Sequence, residues 1–426
     1  MLILFPSFLF AQQDTTKGVE AQQDTTKRAE VHLGIKIGGF RKIPIALTGF
    51  DAEIGDILTA DLTKTGSFRV VHQPVPDTGS ASTKRVEDRW RMAGAQSLAR
   101  GEIQENTGHQ TVMTSLFDLT PVRSLFFKEY PILHQAAKRM VAHRVADDII
   151  EALTGERGIS TTRIACVGRG GGGHKEVYIV DYDGYNYQQI TNDRSISLSP
   201  AWSPDGREIA YTSSRDGNWY LYVVDVERRT SQPLSTRPGL NSAPAWSPDG
   251  SRIAYSMTID GNSEIYVINR DRSGLRRLTY DPGIDTSPTW SPDSRSIAFT
   301  SNRSGTPKVY VMDADGGSQR GLIWGSEAYE DSPAWSPKGD RVAYVVLEGE
   351  GFNIYTVDVE GEVPIRLTAD SGSNEDPSWS PDGLHITFSS TRGGTSEIYT
   401  MGWDGSDQQR LTSSGGCSSP SWSPRF

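Results

Sequence analysis

The sequence predicts an α/β N-terminal domain followed by an all-β six-bladed β-propeller, closed by strands from both ends of the propeller segment. Three observations predict it. Trp-Ser-Pro recurs at Trp202, Trp246, Trp290, Trp335, Trp379 and Trp422, at intervals of 44, 44, 45, 44 and 43 residues, and a fixed period of that length marks a propeller or solenoid. Each repeat carries four short strand-like runs and no helical one, which favours the propeller. Ahead of the repeats, residues 43–153 alternate strand-like and helix-like runs, the pattern of a compact α/β unit.

Residues 1–10, MLILFPSFLF, are uncharged and almost wholly apolar. They are too short to span a bilayer but suit the apolar part of a secretory signal, with Ala11 before the cut and residues 1–11 removed. The other reading is a buried first strand. No Lys or Arg precedes the run, which would fit a start codon placed downstream of the true one. Residues 12–40 are expected to be a flexible arm. AQQDTTK stands at 11–17 and again at 21–27, and so polar a duplication cannot bury enough surface to fold. From Glu30 to Phe40 the text becomes EVHLGIKIGGF. Val31, Leu33, Ile35 and Ile37 alternate with polar or small residues, the period of a strand with one apolar face. Such a strand can dock on its own domain or pair with another protein's sheet edge.

The small domain is expected over 41–155. Ile43–Phe50 reads as a strand. Ile54, Ile57, Leu58, Asp61 and Leu62 fall at helical spacing, and that helix stops at Gly66. Phe68–Val71 reads as a strand and Arg85–Ala93 as a short helix, followed by strands at about 96–103, 110–118 and 123–129. A last helix places Val141, Val145, Ile149 and Leu153 on one face, with Gly155 as its C-terminal cap. No Gly-rich phosphate fingerprint follows the first strand, so a nucleotide site is not indicated.

The propeller is expected over 156–426. In each unit a short strand ends at the Trp, as at Trp202. Ser203-Pro204-Asp205-Gly206 then turns the chain, with Pro set for the first central position. Ile209-Ala210-Tyr211, Tyr220–Asp225 and Gln232–Leu234 supply the next three strands. The sixth Trp-Ser-Pro is followed only by Arg425 and Phe426, whereas Arg163–Ile190 holds the second, third and fourth strands of a unit with no Trp-Ser-Pro before them. Joining the two completes the sixth blade. Cys166 and Cys417, the two cysteines of the chain, both fall near this closure. Two small buried thiols are the favoured reading, and a bond between them in an oxidising compartment is the other.

Composition narrows the function. The formal net charge is −10, which opposes general nucleic-acid binding, because a phosphate backbone needs clustered Lys and Arg. Of seven His, only His174 and His385 lie in the propeller, and no pair has zinc-ligand spacing. There is no nucleophile elbow of the Gly-x-Ser-x-Gly type. Gly170–Gly173 beside His174 and Lys175 lacks the ending of a phosphate loop and reads as a hairpin. Asp-x-Asp-Gly at 181–184 and 313–316 lacks the further oxygen ligands of a calcium loop and reads as a turn. No cofactor, metal site or catalytic residue is expected.

The quoted stretches now meet a family. IPIALTGF at 43, ADLTKTGSF at 60, WRMAGAQSLARGEI at 90 and AHRVADDIIEALTGERGISTTRIACV at 142 resemble the TolB family of the Tol–Pal envelope system. So do GLNSAPAWSPDG at 239 and GIDTSPTWSPD at 283. The resemblance spans nearly all of residues 30–426. Single Trp-Ser-Pro-Asp-Gly units are common to many propellers; the small domain and the junction are the specific part. It implies a monomeric, non-enzymatic periplasmic scaffold that binds the lipoprotein Pal at one propeller mouth and the inner-membrane protein TolA through its N-terminal segment. On this chain the implied Pal-facing residues are Leu240, Asn241, Ala243, Asp285 and Thr286. The implied TolA-binding residues are Glu30, Val31, Leu33, Ile35 and Ile37. Leu240 stands where His is common in the family, and the Gln-rich duplication departs from the family pattern.

Loops leaving an innermost strand gather at one mouth of the ring, where varied side chains cost the scaffold little. Asn, Asp and Ser there can equally serve only as turn formers. The competing class is an enzyme or accessory domain acting on peptides or polysaccharides. A peptidase would need a hydrolase domain after the propeller, and a metal-dependent lyase would need several His in the channel. A sensor of a small ligand is a third reading.

Overall fold

In the computed structural model, residues 42–72, 83–106, 109–134, 137–259, 261–323, 325–369, 372–413 and 415–426 are described. The first strand, β1 (Ile43–Thr48), is the second, interior strand of a five-stranded sheet. Its neighbours are β2 (Phe68–Val71) and β3 (Ser97–Asn106), both parallel to it, and β4 (His109–Leu119) and β5 (Val122–Ile132) continue from β3 as an antiparallel meander. Parallel neighbours need crossover connections, and helices α1 (Ala52–Lys64) and α2 (Thr83–Met92) supply them. A third helix, α3 (Ala137–Thr154), follows β5 and packs on α1.

Side chains alternate across β1, so both faces of the sheet are covered. Ile45 joins Ile54, Leu58, Leu62, Val145 and Ile149 in a core between the sheet, α1 and α3. Ala46 joins Val86, Trp90 and Leu98 beneath α2. The helical spacing read from the sequence holds in α1, where Ile54, Ile57, Leu58, Asp61 and Leu62 are the buried residues. Asp51 caps that helix by accepting from the Ile54 N–H at 2.9 Å. Gly155 (φ 77°) ends α3 and donates to the Glu151 carbonyl. The meander is longer than the sequence predicts, because antiparallel pairing continues past the point where apolar alternation stops.

The rest of the chain forms six four-stranded antiparallel sheets. Blade 1 comprises β9 (Ser197–Trp202), β10 (Glu208–Ser213), β11 (Tyr220–Asp225) and β12 (Thr230–Ser235). Blades 2 to 5 repeat it, beginning with inner strands β13 (Asn241–Trp246), β17 (Asp285–Trp290), β21 (Glu330–Trp335) and β25 (Asn374–Trp379). Blade 6 is made from both ends: β29 (Ser418–Trp422) pairs with β6 (Arg163–Arg169), which continues to β7 (Lys175–Asp181) and β8 (Gln188–Gln189). Arg163 and Ser423 exchange two hydrogen bonds across this seam, and the Trp422 indole donates to Thr162 Oγ1 at 2.8 Å.

Cys166 and Cys417 are joined as a disulfide, with Cα atoms 6.2 Å apart. This corrects the reading of two free thiols. The register Ser418↔Val167 brings the β29 and β6 ends side by side, which no local spacing reveals.

The Ser-Pro-Asp-Gly turns have a shared mechanism. Ser203 Oγ donates to Asp205 at 2.6 Å and accepts from the Glu208 N–H at 2.9 Å. The Trp side chains sit between blades: the Trp290 and Trp379 indoles donate to the Ala245 and Ala334 carbonyls of the preceding inner strands. Asp181–Gly184 and Asp313–Gly316 are turns, each closed by a Gly N–H to the first Asp carbonyl.

Candidate partner-binding faces

Antiparallel pairing gives every blade two rims. In blade 1, Trp202 faces Ile209 and Glu208 faces Asp225, so the Trp end of the inner strand shares one rim with the start of β10 and the end of β11. Ser197 faces Ser213, which faces Tyr220, so the start of the inner strand lies at the far rim.

At the far rim each inner strand contains a bulge. Ser199, Ala243, Ser287, Ser332, Asp376 and Ser419 all have φ between 49° and 53°, and each directly precedes a Pro. Left-handed backbone is costly for a residue with a side chain and unusual before Pro, so six repetitions mark a designed kink rather than an accident. The pairing register slips at this point, as between Ser242 and Ala245. The sequence signal was the repeated Pro two residues before each Trp.

The loop leading into β13 rests on Asn241, which is wholly buried. Its amide donates to the carbonyls of Trp219, Arg237 and Gly239 at 3.0, 2.9 and 3.1 Å, and its oxygen accepts from Ser235 at 3.1 Å. Asp285, in the equivalent place, is also wholly buried and accepts from Arg303 at 2.8 Å. Burial raises its carboxyl above the ordinary range. On the next two inner strands Asp331, Glu375 and Asp376 stand close together. Burial pushes Asp376 up to about 6, with Glu375 and Asp331 acting in the same direction against the hydrogen bond from Ser419.

The Trp rim meets the small domain through a buried polar cluster. His143 of α3 is 1% exposed and places Nδ1 2.7 Å from Asp61 of α1 and Nε2 3.3 Å from Asp183, in the turn after β7. The Tyr182 hydroxyl donates to Asp61, Lys64 donates to the Tyr182 carbonyl at 3.1 Å, and Arg139 pairs with Asp183. Burial alone would lower the imidazole, but the Asp183 and Asp61 carboxylates outweigh it and raise His143 to about 9. Burial opposes the charge of Asp183 too, yet His143 and Arg139 hold its carboxyl below the ordinary range. Beside this cluster a cleft of about 880 Å³ opens between α1 and the propeller, lined by Lys42, Asp56, Tyr182, Tyr185, His385 and Leu411.

Among the described residues no group of three or more His, Cys, Asp or Glu is arranged to hold a metal ion. None of the described helices is long and apolar enough to cross a membrane.

The family model of the TolB beta propeller domain matches residues 150–332 and 327–426, and that of the TolB amino-terminal domain matches residues 31–125. The chain belongs to the TolB family.

Curated TolB relatives are similar over part of the chain. The Tol-Pal system protein TolB of Desulfosudis oleivorans is 36% identical over 234 residues, covering 51% of this chain and 49% of the relative. That of Geobacter sulfurreducens is 44% identical over 160 residues, covering 37% of this chain and 36% of the relative. The aligned stretch thus spans about half, or less, of the length of the curated relatives it matches. The crystal structure of TolB from Acinetobacter baumannii superposes with a TM-score of 0.78 at 28% identity, covering 90% of this chain and 97% of that one.

The TolB resemblance named five far-rim residues, and the structure separates them. Leu240 is exposed; Ala243 and Thr286 are half-buried, Ala243 being a bulge residue and Thr286 accepting from Ser256 at 3.2 Å. Asn241 and Asp285 lie inside, holding the loops from beneath. Glu30, Val31, Leu33, Ile35 and Ile37 lie outside the described residues. The His143 cluster was missed by sequence reading; its one signal was Asp61, a carboxylate within the apolar stripe of α1.

Proposed function

We propose that this chain is a non-enzymatic periplasmic scaffold of the Tol–Pal system. Its propeller binds the lipoprotein Pal at the far rim, around Leu240, Asn241, Ala243, Asp285 and Thr286. Its N-terminal arm binds a TolA-like inner-membrane protein through Glu30, Val31, Leu33, Ile35 and Ile37. In this role it supports outer-membrane integrity and envelope constriction during division, and it acts as a monomer. The observation that carries the reading is that likeness to TolB extends through the amino-terminal domain as well as the propeller.

The two binding events are coupled in this reading. Lys42, the first described residue, lines the cleft between the domains, and in this reading docking or release of the arm is biased by the propeller. Such coupling is reciprocal: the arm's partner alters Pal affinity by the factor with which Pal alters its own. The test is calorimetric titration of residues 12–426 with the soluble domain of Pal from the same source, repeated on a chain that begins at Arg41. Saturable binding is expected, with a changed affinity when the arm is absent. No binding to either chain overturns the scaffold role, and equal affinities overturn the coupling.

A further inference from the structure

The far rim is chemically divided. The residue six places before each Trp is aliphatic in blades 1 to 3, where Ile196, Leu240 and Ile284 are 40%, 42% and 51% exposed. The same place holds Tyr329, Ser373 and Gly416 in blades 4 to 6. Two places further on, blades 1 to 3 carry Leu198, Ser242 and Thr286, whereas blades 4 and 5 carry Asp331 and Glu375. Both positions therefore change character between blades 3 and 4.

Neighbouring loops extend the aliphatic half. Ile259, at the end of the second strand of blade 2, is exposed beside Leu240, whose carbonyl accepts from the adjoining Thr258 N–H. Tyr280, 71% exposed, precedes Asp281, whose carbonyl accepts from Asn262 across the same rim. On the other half Glu375 and Asp331 act electrostatically on Asp376, so the three carboxylates stand together.

Exposed aliphatic side chains stand at matching places on three successive blades, and burying such side chains drives association. The carboxylates of the other half oppose one another, so a cationic side chain placed among them is favoured over a neutral or acidic one. One half supplies the affinity and the other sets the orientation of whatever covers the mouth.

We propose that the far rim is a split docking surface for a folded protein partner, whose aliphatic patch covers Ile196, Leu240 and Ile284 while its Lys or Arg side chains meet Asp331, Glu375 and Asp376. This rests on the reading of the far rim as the Pal-binding face and adds the chemistry that the partner must present.

The test compares the full chain with three variants in calorimetric titration against the soluble domain of Pal. L240D/I284D places charge in the aliphatic half, D331N/E375Q neutralises the acidic one, and V363D changes an exposed residue in the turn between β23 (Gly351–Asp358) and β24 (Ile365–Arg366), on the Trp rim. Leu240, Ile284 and Val363 are exposed and Asp331 and Glu375 half-buried, and equal unfolding midpoints establish that each variant is folded. L240D/I284D is expected to weaken binding about 100-fold. D331N/E375Q is expected to weaken it about tenfold and to flatten its dependence on salt. V363D should bind as the unaltered chain does. Unaltered affinity of L240D/I284D, or an unaltered salt slope for D331N/E375Q, overturns the split surface while leaving Pal binding in place. Absence of binding by the unaltered chain overturns the underlying reading, and this inference with it.

Discussion

Asn241 is more valuable to the fold than to the surface. Four hydrogen bonds of its side chain tie the loop before β13 to blades 1 and 2. Asn241→Ala would take the amide donor from the Arg237 and Gly239 carbonyls, while the Trp219 carbonyl keeps its bond from the backbone N–H of residue 241, and a loss of about 1 kcal/mol is expected, read by urea unfolding. A change below a few tenths would show that water replaces the amide. Gly239, two residues earlier, has φ 97°, and a Cβ there would lie 1.7 Å from the Thr258 carbonyl oxygen. Gly239→Ala is therefore expected to displace Leu240 and weaken Pal binding even where the propeller stays folded. Native-like Pal affinity of folded Gly239→Ala would reject that link. Neither role was legible in the sequence. Asn before Ser-x-Pro reads as turn chemistry, and only the approach of blade 1 turns it into a buried anchor.

At the scale of the element, β29 bears the closure. Its inner-strand pairing, the Trp422–Thr162 hydrogen bond and the Cys166–Cys417 disulfide all join chain segments about 250 residues apart. Removing residues 417–426 exposes the edges of β6 and of its neighbours, so cooperative unfolding of the propeller is expected to be lost. An unchanged thermal transition would refute the closure. Cys417→Ser tests the covalent part alone: a loss of about 2–5 kcal/mol is expected, and reductant should lower the melting temperature of the unaltered chain but not of this variant. The need for β29 was legible, because the first repeat lacks an inner strand and the last has little else. The bond was not, because two cysteines in a long chain carry no spacing pattern.

For the whole molecule, the His143 cluster fixes the small domain on the propeller. Because the folded-state value of about 9 exceeds the ordinary 6.5, the charged imidazole contributes its full stabilisation below about pH 6.5. That contribution declines between 6.5 and about 9 and is absent above. Its size is on the order of 3 kcal/mol. Thermal unfolding of the full chain from pH 6 to 9.5 is expected to show falling stability over that window, and His143→Gln is expected to remove most of the slope. The same slope in the variant would place the pH dependence elsewhere.

Local periodicity determined what the sequence could determine by itself. The 44-residue repeat dictated six blades, strand alternation dictated which faces are buried, and helical spacing placed Asp61 inside α1, because each is a property of residues close together in the chain. Tertiary structure alone decided that Asp61 meets His143 and Asp183, that Cys166 meets Cys417, and that Asn241 and Asp285 turn inward while Leu240 turns out. It also gathered Ile196, Leu240 and Ile284 on one rim with Asp331 and Glu375. The Asp61–His143 and Cys166–Cys417 pairings join residues 82 and 251 positions apart, and the inward turn of Asn241 and Asp285 depends on neighbouring strands of the blades that periodicity does not place.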